Sequence, residues 1–121
     1  MLENLIQVLI LIIAMMHFGF LLLEMFLWTR PSGLTVFRNS VEKAELTKVL
    51  AANQGLYNGF LVLGLIWSVF HPDPQFGNQL ALFFLGCVVV AGIYGGYSLN
   101  KRIFFVQACP ALLALVLTGL R

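Results

Sequence analysis

The chain has 121 residues, of which 60% are hydrophobic and only 10% charged, and its mean hydropathy is +0.94. Soluble domains are about 45–50% apolar and about 25% charged, so this is the composition of an integral membrane protein. The net charge of +2 is too small to suggest nucleic acid, and no basic patch is interleaved with stacking aromatics, so no nucleic-acid partner is expected.

A helix needs about 20 mostly apolar residues to cross a bilayer. Four segments qualify, so the expected fold is all-α: a four-transmembrane-helix bundle, with residues 1–121 as a single domain. The first helix is predicted over 2–28. It follows no basic n-region and carries no small-residue cleavage site, so a retained helix is expected, not a signal peptide. Pro31, Gly33 and Ser40 then break the run. A second helix is predicted over 40–70, with Asn39 and Glu42 at capping-box spacing. Pro72 and Pro74 end it. The third is predicted over 78–98 and the fourth over 103–120. Pro110 sits in the middle of the fourth, where it should free a carbonyl near Val106 and kink the helix.

Orientation follows from loop lysines and arginines. Arg30, Arg38, Lys43 and Lys48 flank the first loop and Lys101 and Arg102 the third, while the second holds only His71 and Asp73. Loops 29–39 and 99–102 are therefore expected on the cytoplasmic side of a bacterial inner (plasma) membrane, and both termini on the other. Arg121 runs against this pattern. Trp28, Tyr97 and Phe104 mark one interface, and Trp67, Phe70 and Phe76 the other. Cys87 and Cys109 read as small buried hydrophobes. With no CxxC, haem motif or metal-ligand spacing, no cofactor and no metal is expected.

The informative residues are polar ones inside the spans. On the helical wheel of the second helix, measured from Asn53, Tyr57 lies at about 40°, Gln54 at about 100° and Asn58 at about 140°. Ala51, Ala52, Gly55 and Gly59 occupy about 160° to about 260°. The helix thus has a polar face, expected to look inward, and a small-residue face with GxxxG spacing for close helix approach. On the first helix His17 and Glu24 are seven apart and share a face, with Trp28 one turn further on. A carboxyl inside an apolar span is by default a functional-site candidate. Lys48 is the nearest cation by sequence, although the wheel turns it away. Tyr94 on the third helix and Gln107 on the fourth complete the set. By rise per residue these groups lie within about 18 Å of the cytoplasmic helix ends. The other half of each span is nearly pure Leu, Ile, Val and Phe, apart from Gln7. A polar pocket open to the cytoplasm and closed by an apolar plug is the resulting expectation.

At LEMFLW (residues 23–28) and KVLAANQGLYNG (residues 48–59) the sequence resembles a family of small four-helix bacterial membrane proteins, domain of unknown function 1304. His17 before the Glu-Met-Phe-x-Trp string and the Asn-Gln-Gly-x-Tyr-Asn string carry the resemblance over the whole chain. It implies a four-helix membrane protein and transfers no activity.

Three function classes remain open on the residues. In the first, the protein binds or transports a small polar or amphiphilic ligand or a lipid. Glu24 is then the proton or cation handle, and His17, Asn53, Gln54, Tyr57 and Asn58 orient the ligand. Four helices is a small number for a transporter, so this class expects a homodimer among membrane lipids. In the second, the protein is an intramembrane enzyme, an isomerase or quinone-linked, with Glu24 or His17 as general acid/base. In the third, it is a structural or accessory subunit whose amides hold helices together.

Overall fold

The computed structural model describes residues 1–121 and contains only helices. Four are long and apolar enough to cross a membrane: α1 (Leu2–Met25), α3 (Val41–Phe70), α4 (Pro74–Ser98) and α5 (Lys101–Leu120). A short helix, α2 (Pro31–Phe37), follows α1. The all-α, four-spanning-helix expectation holds, and this is a membrane protein. Large apolar side chains such as Phe60, Leu63, Phe83 and Val90 stay exposed, at no cost where the surroundings are lipid tails.

Each long helix buries one narrow stripe. On α1 it is Ile6, Ile10, Ile13, His17 and Glu24; on α3, Ala44, Ala51, Gly55, Asn58, Val62 and Leu65. On α4 it is Gly77, Ala81, Leu85, Val88, Gly92 and Gly95. Steps of three and four keep such a stripe on one side of a helix.

Several helix ends differ from expectation, each for a local reason. α1 stops at Met25, not at residue 28. The stretch expected as an irregular loop contains α2, started by Pro31 behind an extended Arg30. Proline is preorganised for that first helical position. Arg38 closes α2 in the left-handed region, φ 54°. The cap of α3 is Ser40, whose Oγ accepts the Lys43 N–H at 3.1 Å, and not the Asn39–Glu42 box. Pro74 does not block α4 but begins it, four residues ahead of the predicted start. Asp73 caps that end by accepting the N–H groups of Gln75 and Phe76. Pro110 has the predicted local effect in another form: Phe104–Ala108 is a π-helical turn, with the Cys109 N–H donating to the Phe104 carbonyl. The widened turn makes room for the ring that would clash one turn back. Cys87 is half-buried and Cys109 exposed, so the second is not the buried hydrophobe expected; the buried stripe of α5 passes through Ala108, Ala111, Ala114 and Thr118 instead.

The residues group into two compact units, one of 1–14 with 63–121 and one of 15–62. In the first, α4 lies close against α5. A Cβ placed on Gly92 would come within 2.6 Å of the Ala108 backbone nitrogen, and one on Gly96 within 2.6 Å of the Phe104 Cβ. In the second, α1 and α3 meet at Gly55, where an added Cβ would lie 2.6 Å from Met25 Cγ and 3.1 Å from Glu24 Cβ. The predicted GxxxG contact is present: Gly59 faces Leu21.

Gly92→Ala is expected to destabilise the protein by about 1–3 kcal/mol, because backbone must move to admit the methyl. At Gly86 a Cβ meets nothing within 4 Å, and Gly86→Ala should be neutral or gain up to about 1 kcal/mol from helix propensity. Thermal unfolding in detergent checks both; equal melting temperatures would remove the close contact.

Candidate functional site

Two polar centres stand out, one in each unit. The first is the carboxyl of Glu24, 3% exposed at the end of the buried stripe of α1. It meets Asn58 of α3, which is 8% exposed and donates from Nδ2 to Glu24 Oε1 at 2.5 Å. Gly55 sits one turn before Asn58, and its missing side chain lets α1 come near enough for this bond. The exposed Gln54 side-chain amide also acts on the same carboxyl. His17 is fully buried on the same stripe of α1, with its ring edge-on to Phe20 at 5.6 Å. Lys48 does not serve Glu24. Its ammonium pairs with Glu45 at 2.9 Å, and both side chains are more than half exposed.

The amide cluster of α3 is split by helix geometry. Measured from Asn53 around the helix, the buried stripe is centred at about 160°, between Asn58 and the small residues. Asn58 therefore points inward, Gln54 lies at the flank, and Asn53 and Tyr57 point outward. This corrects the expectation that the whole polar face looks inward. Asn53 satisfies its amide within its own helix, donating to the Val49 carbonyl at 3.0 Å. Tyr57 is 61% exposed, its ring 5.8 Å from Phe60. Trp28 has a structural setting: its indole N–H donates to Thr47 Oγ1 at 3.0 Å, and its ring packs on Phe37 of α2 at 4.8 Å.

Tyr94 and Gln107 belong to the other unit. Tyr94 is 69% exposed and lines a shallow groove of about 380 Å³ with Val90, Ile93 and Tyr97. Gln107 is half-buried within the π-helical turn.

The second polar centre has no counterpart among the expected sites. A cleft of about 700 Å³ opens where the first turns of α1 and α4 meet the last turns of α3 and α5. Arg121 sits at its rim, donating from Nε to Asn78 Oδ1 at 2.6 Å and from Nη1 to Glu3 Oε1 at 2.5 Å. Gln7 donates to the same Glu3 oxygen at 3.3 Å. Gln75, Gln79 and His71 add further polar groups to the wall. This half of the spans is therefore not only an apolar plug. Its sequence signals are Glu3 and Gln7 one turn apart, three amides at the start of α4, and the discordant Arg121. Glu24 and Asn58 line neither opening.

The strings around Glu24 and Asn58 also agree with a comparison to known proteins. A family model described as protein of unknown function (DUF1304) matches residues 11–118. The chain belongs to this family. It is similar to the uncharacterized protein YpaA of Lactococcus lactis subsp. lactis (strain IL1403), with 32% identity over 111 residues, 90% of this chain and 92% of the relative. No solved structure matches. Glu24 and Asn58 lie within the stretch matched to DUF1304, whereas Glu3 and Arg121 lie outside it.

Asn58→Leu leaves the buried Glu24 carboxyl without its main donor, and should destabilise the protein by about 1–3 kcal/mol. Adding Glu24→Leu should recover part of that loss, since a pair removed together leaves no unsatisfied group. Unfolding of the double-mutant cycle in detergent measures the coupling; strictly additive effects would mean the two side chains do not interact.

Proposed function

We propose that this protein binds, and through binding moves, a small polar or amphiphilic molecule, with Glu24 as the group whose protonation is coupled to occupancy. One observation carries the reading. A carboxyl buried inside a spanning helix is partnered by neutral amides, Asn58 and Gln54, while the chain's two ion pairs lie elsewhere. A structural carboxyl in lipid is cheapest when paired with a cation, so an unneutralised one supports a role in which the charge changes. A ligand hydroxyl can donate to Glu24 Oε1 and accept from the Asn58 amide that it displaces, so that neither group is left unsatisfied. His17 lies on the same buried stripe of α1.

A structural reading has its own observation. The Glu24–Asn58 bond forms beside the close approach at Gly55, so the pair also works as a clamp between α1 and α3. Interhelical hydrogen bonds of this kind contribute about 0.6 kcal/mol on average. Native mass spectrometry of gently purified protein separates the two readings. A co-purifying small molecule, lost in Asn58→Leu, supports binding. Its retention should depend on pH in wild type and not in Glu24→Gln, with little loss of folded protein. Absence of any bound molecule, with folding defects alone, would leave the clamp.

We also propose that loops 29–39 and 99–102 face the cytoplasm of the bacterial plasma membrane. The exception, Arg121, is paired with Glu3, which weakens its bearing on orientation. Single cysteines at Thr35 and Asp73, in a background lacking Cys87 and Cys109, should be labelled from the inside and the outside respectively. The reverse pattern would overturn this orientation.

A further inference from the structure

We infer that the cleft between Glu3 and Arg121 is a binding site for a zwitterionic amphiphile head, a primary ammonium joined to a phosphate. The site is independent of the Glu24 reading. Beside His71, the ionisable side chains on its wall are one acid, Glu3, and one base, Arg121, held against each other with Asn78 and Gln7 as neutral brackets. An anion that approaches Arg121 also meets the Glu3 carboxylate, and a cation that approaches Glu3 also meets the guanidinium. A zwitterion answers both, its ammonium on Glu3 and its phosphate on the Arg121 fork, which suits phosphate geometry. The Arg121 side chain is 17% exposed and held in place, whereas the Glu3 side chain is 53% exposed, so Glu3 is the partner free to turn toward a ligand ammonium.

The walls are built and mixed in character. Asp73 fixes the first turn of α4, its Oδ1 accepting the Gln75 N–H at 2.9 Å and the Phe76 N–H at 3.3 Å. Its own N–H donates to His71 Nδ1 at 3.0 Å, and the His71 ring stacks on Phe76 at 4.8 Å. Trp67 lies beside both rings. Aromatic groups of this kind mark the level of lipid headgroups. Ile10 and Val69 add apolar wall to the polar lining. A cleft with polar and apolar walls at the end of spanning helices fits an amphiphile better than a freely soluble ion. The volume of about 700 Å³ lies in the usual range for small-molecule sites.

The test uses the full chain in detergent, with native mass spectrometry and lipids of matched acyl chains. Phosphatidylethanolamine should be retained at least tenfold more than phosphatidylglycerol. Phosphatidylcholine should fall between, because its quaternary ammonium cannot donate to Glu3. Glu3→Gln removes a charge from an exposed side chain, and should reverse the preference toward phosphatidylglycerol by leaving Arg121 alone. Arg121→Gln should abolish discrimination between the three lipids. Soluble phosphoethanolamine that displaces the lipid would assign the same chemistry to a free headgroup; failure to displace it would assign the site to the intact lipid. Equal retention of all three lipids by wild type, or a folded Glu3→Gln variant with unchanged preference, would overturn the assignment.

Discussion

Inside a bilayer no hydrophobic force draws one helix to another, because lipid tails are as apolar as leucine. Association has to come from close packing, and close packing needs small residues. That constraint organises this molecule. Gly55 and Gly59 bring α3 against Leu21, Glu24 and Met25 of α1, and Gly92 and Gly96 bring α4 against Ala108 and Phe104 of α5. Once these surfaces are in contact, the inner stripe of each helix has room for few large side chains. The polar residues that share it are correspondingly few: His17, Glu24, Asn58, Ser68 and Thr118 are buried. Ser68 and Thr118 return their hydroxyls to carbonyls of their own helices. Glu24 and Asn58 bond between helices, which makes them the pair able to report on how α1 and α3 are joined.

The two polar centres obey different electrostatics. Glu24 is buried in a span where an unpaired charge is costly, and it is met by amides that suit either protonation state. Glu3 and Arg121 sit at a helix-end cleft, where the half-exposed Glu3 carboxylate reaches water and opposite charges coexist at lower cost. The two proposed roles, a carboxyl that changes charge and an ion pair that exchanges partners, each match the depth at which the groups sit.

Much of this is legible in the residues. The four spanning lengths, the inward-facing His17–Glu24 stripe, the GxxxG contact at Gly55 and the disturbance at Pro110 all follow from local rules, and the DUF1304 strings from LEMFLW and ANQGLYNG. The misplacements have local causes as well. Pro74 reads as a stop although proline is equally suited to a first helical position. Asn53 and Tyr57 read as inward because four polar residues on one side of a wheel look like a single face. A stripe wide enough for one or two residues per turn admits only Asn58, and Asn53 meets the cost of facing outward by bonding Val49 within its own helix. The cleft is hidden along the chain because its walls come from four separate places, none of them conspicuous alone.

The sequence by itself determined the solvent, the number of crossings and the place of Glu24 inside an apolar run, because each depends on composition or on spacing along a single helix. Only the tertiary structure decided which amide met that acid, and that Arg121 met Glu3 across 118 positions of chain. A wheel records direction around one axis, but partnership depends on which face of a second helix arrives there. That choice is set by where small residues let two backbones touch.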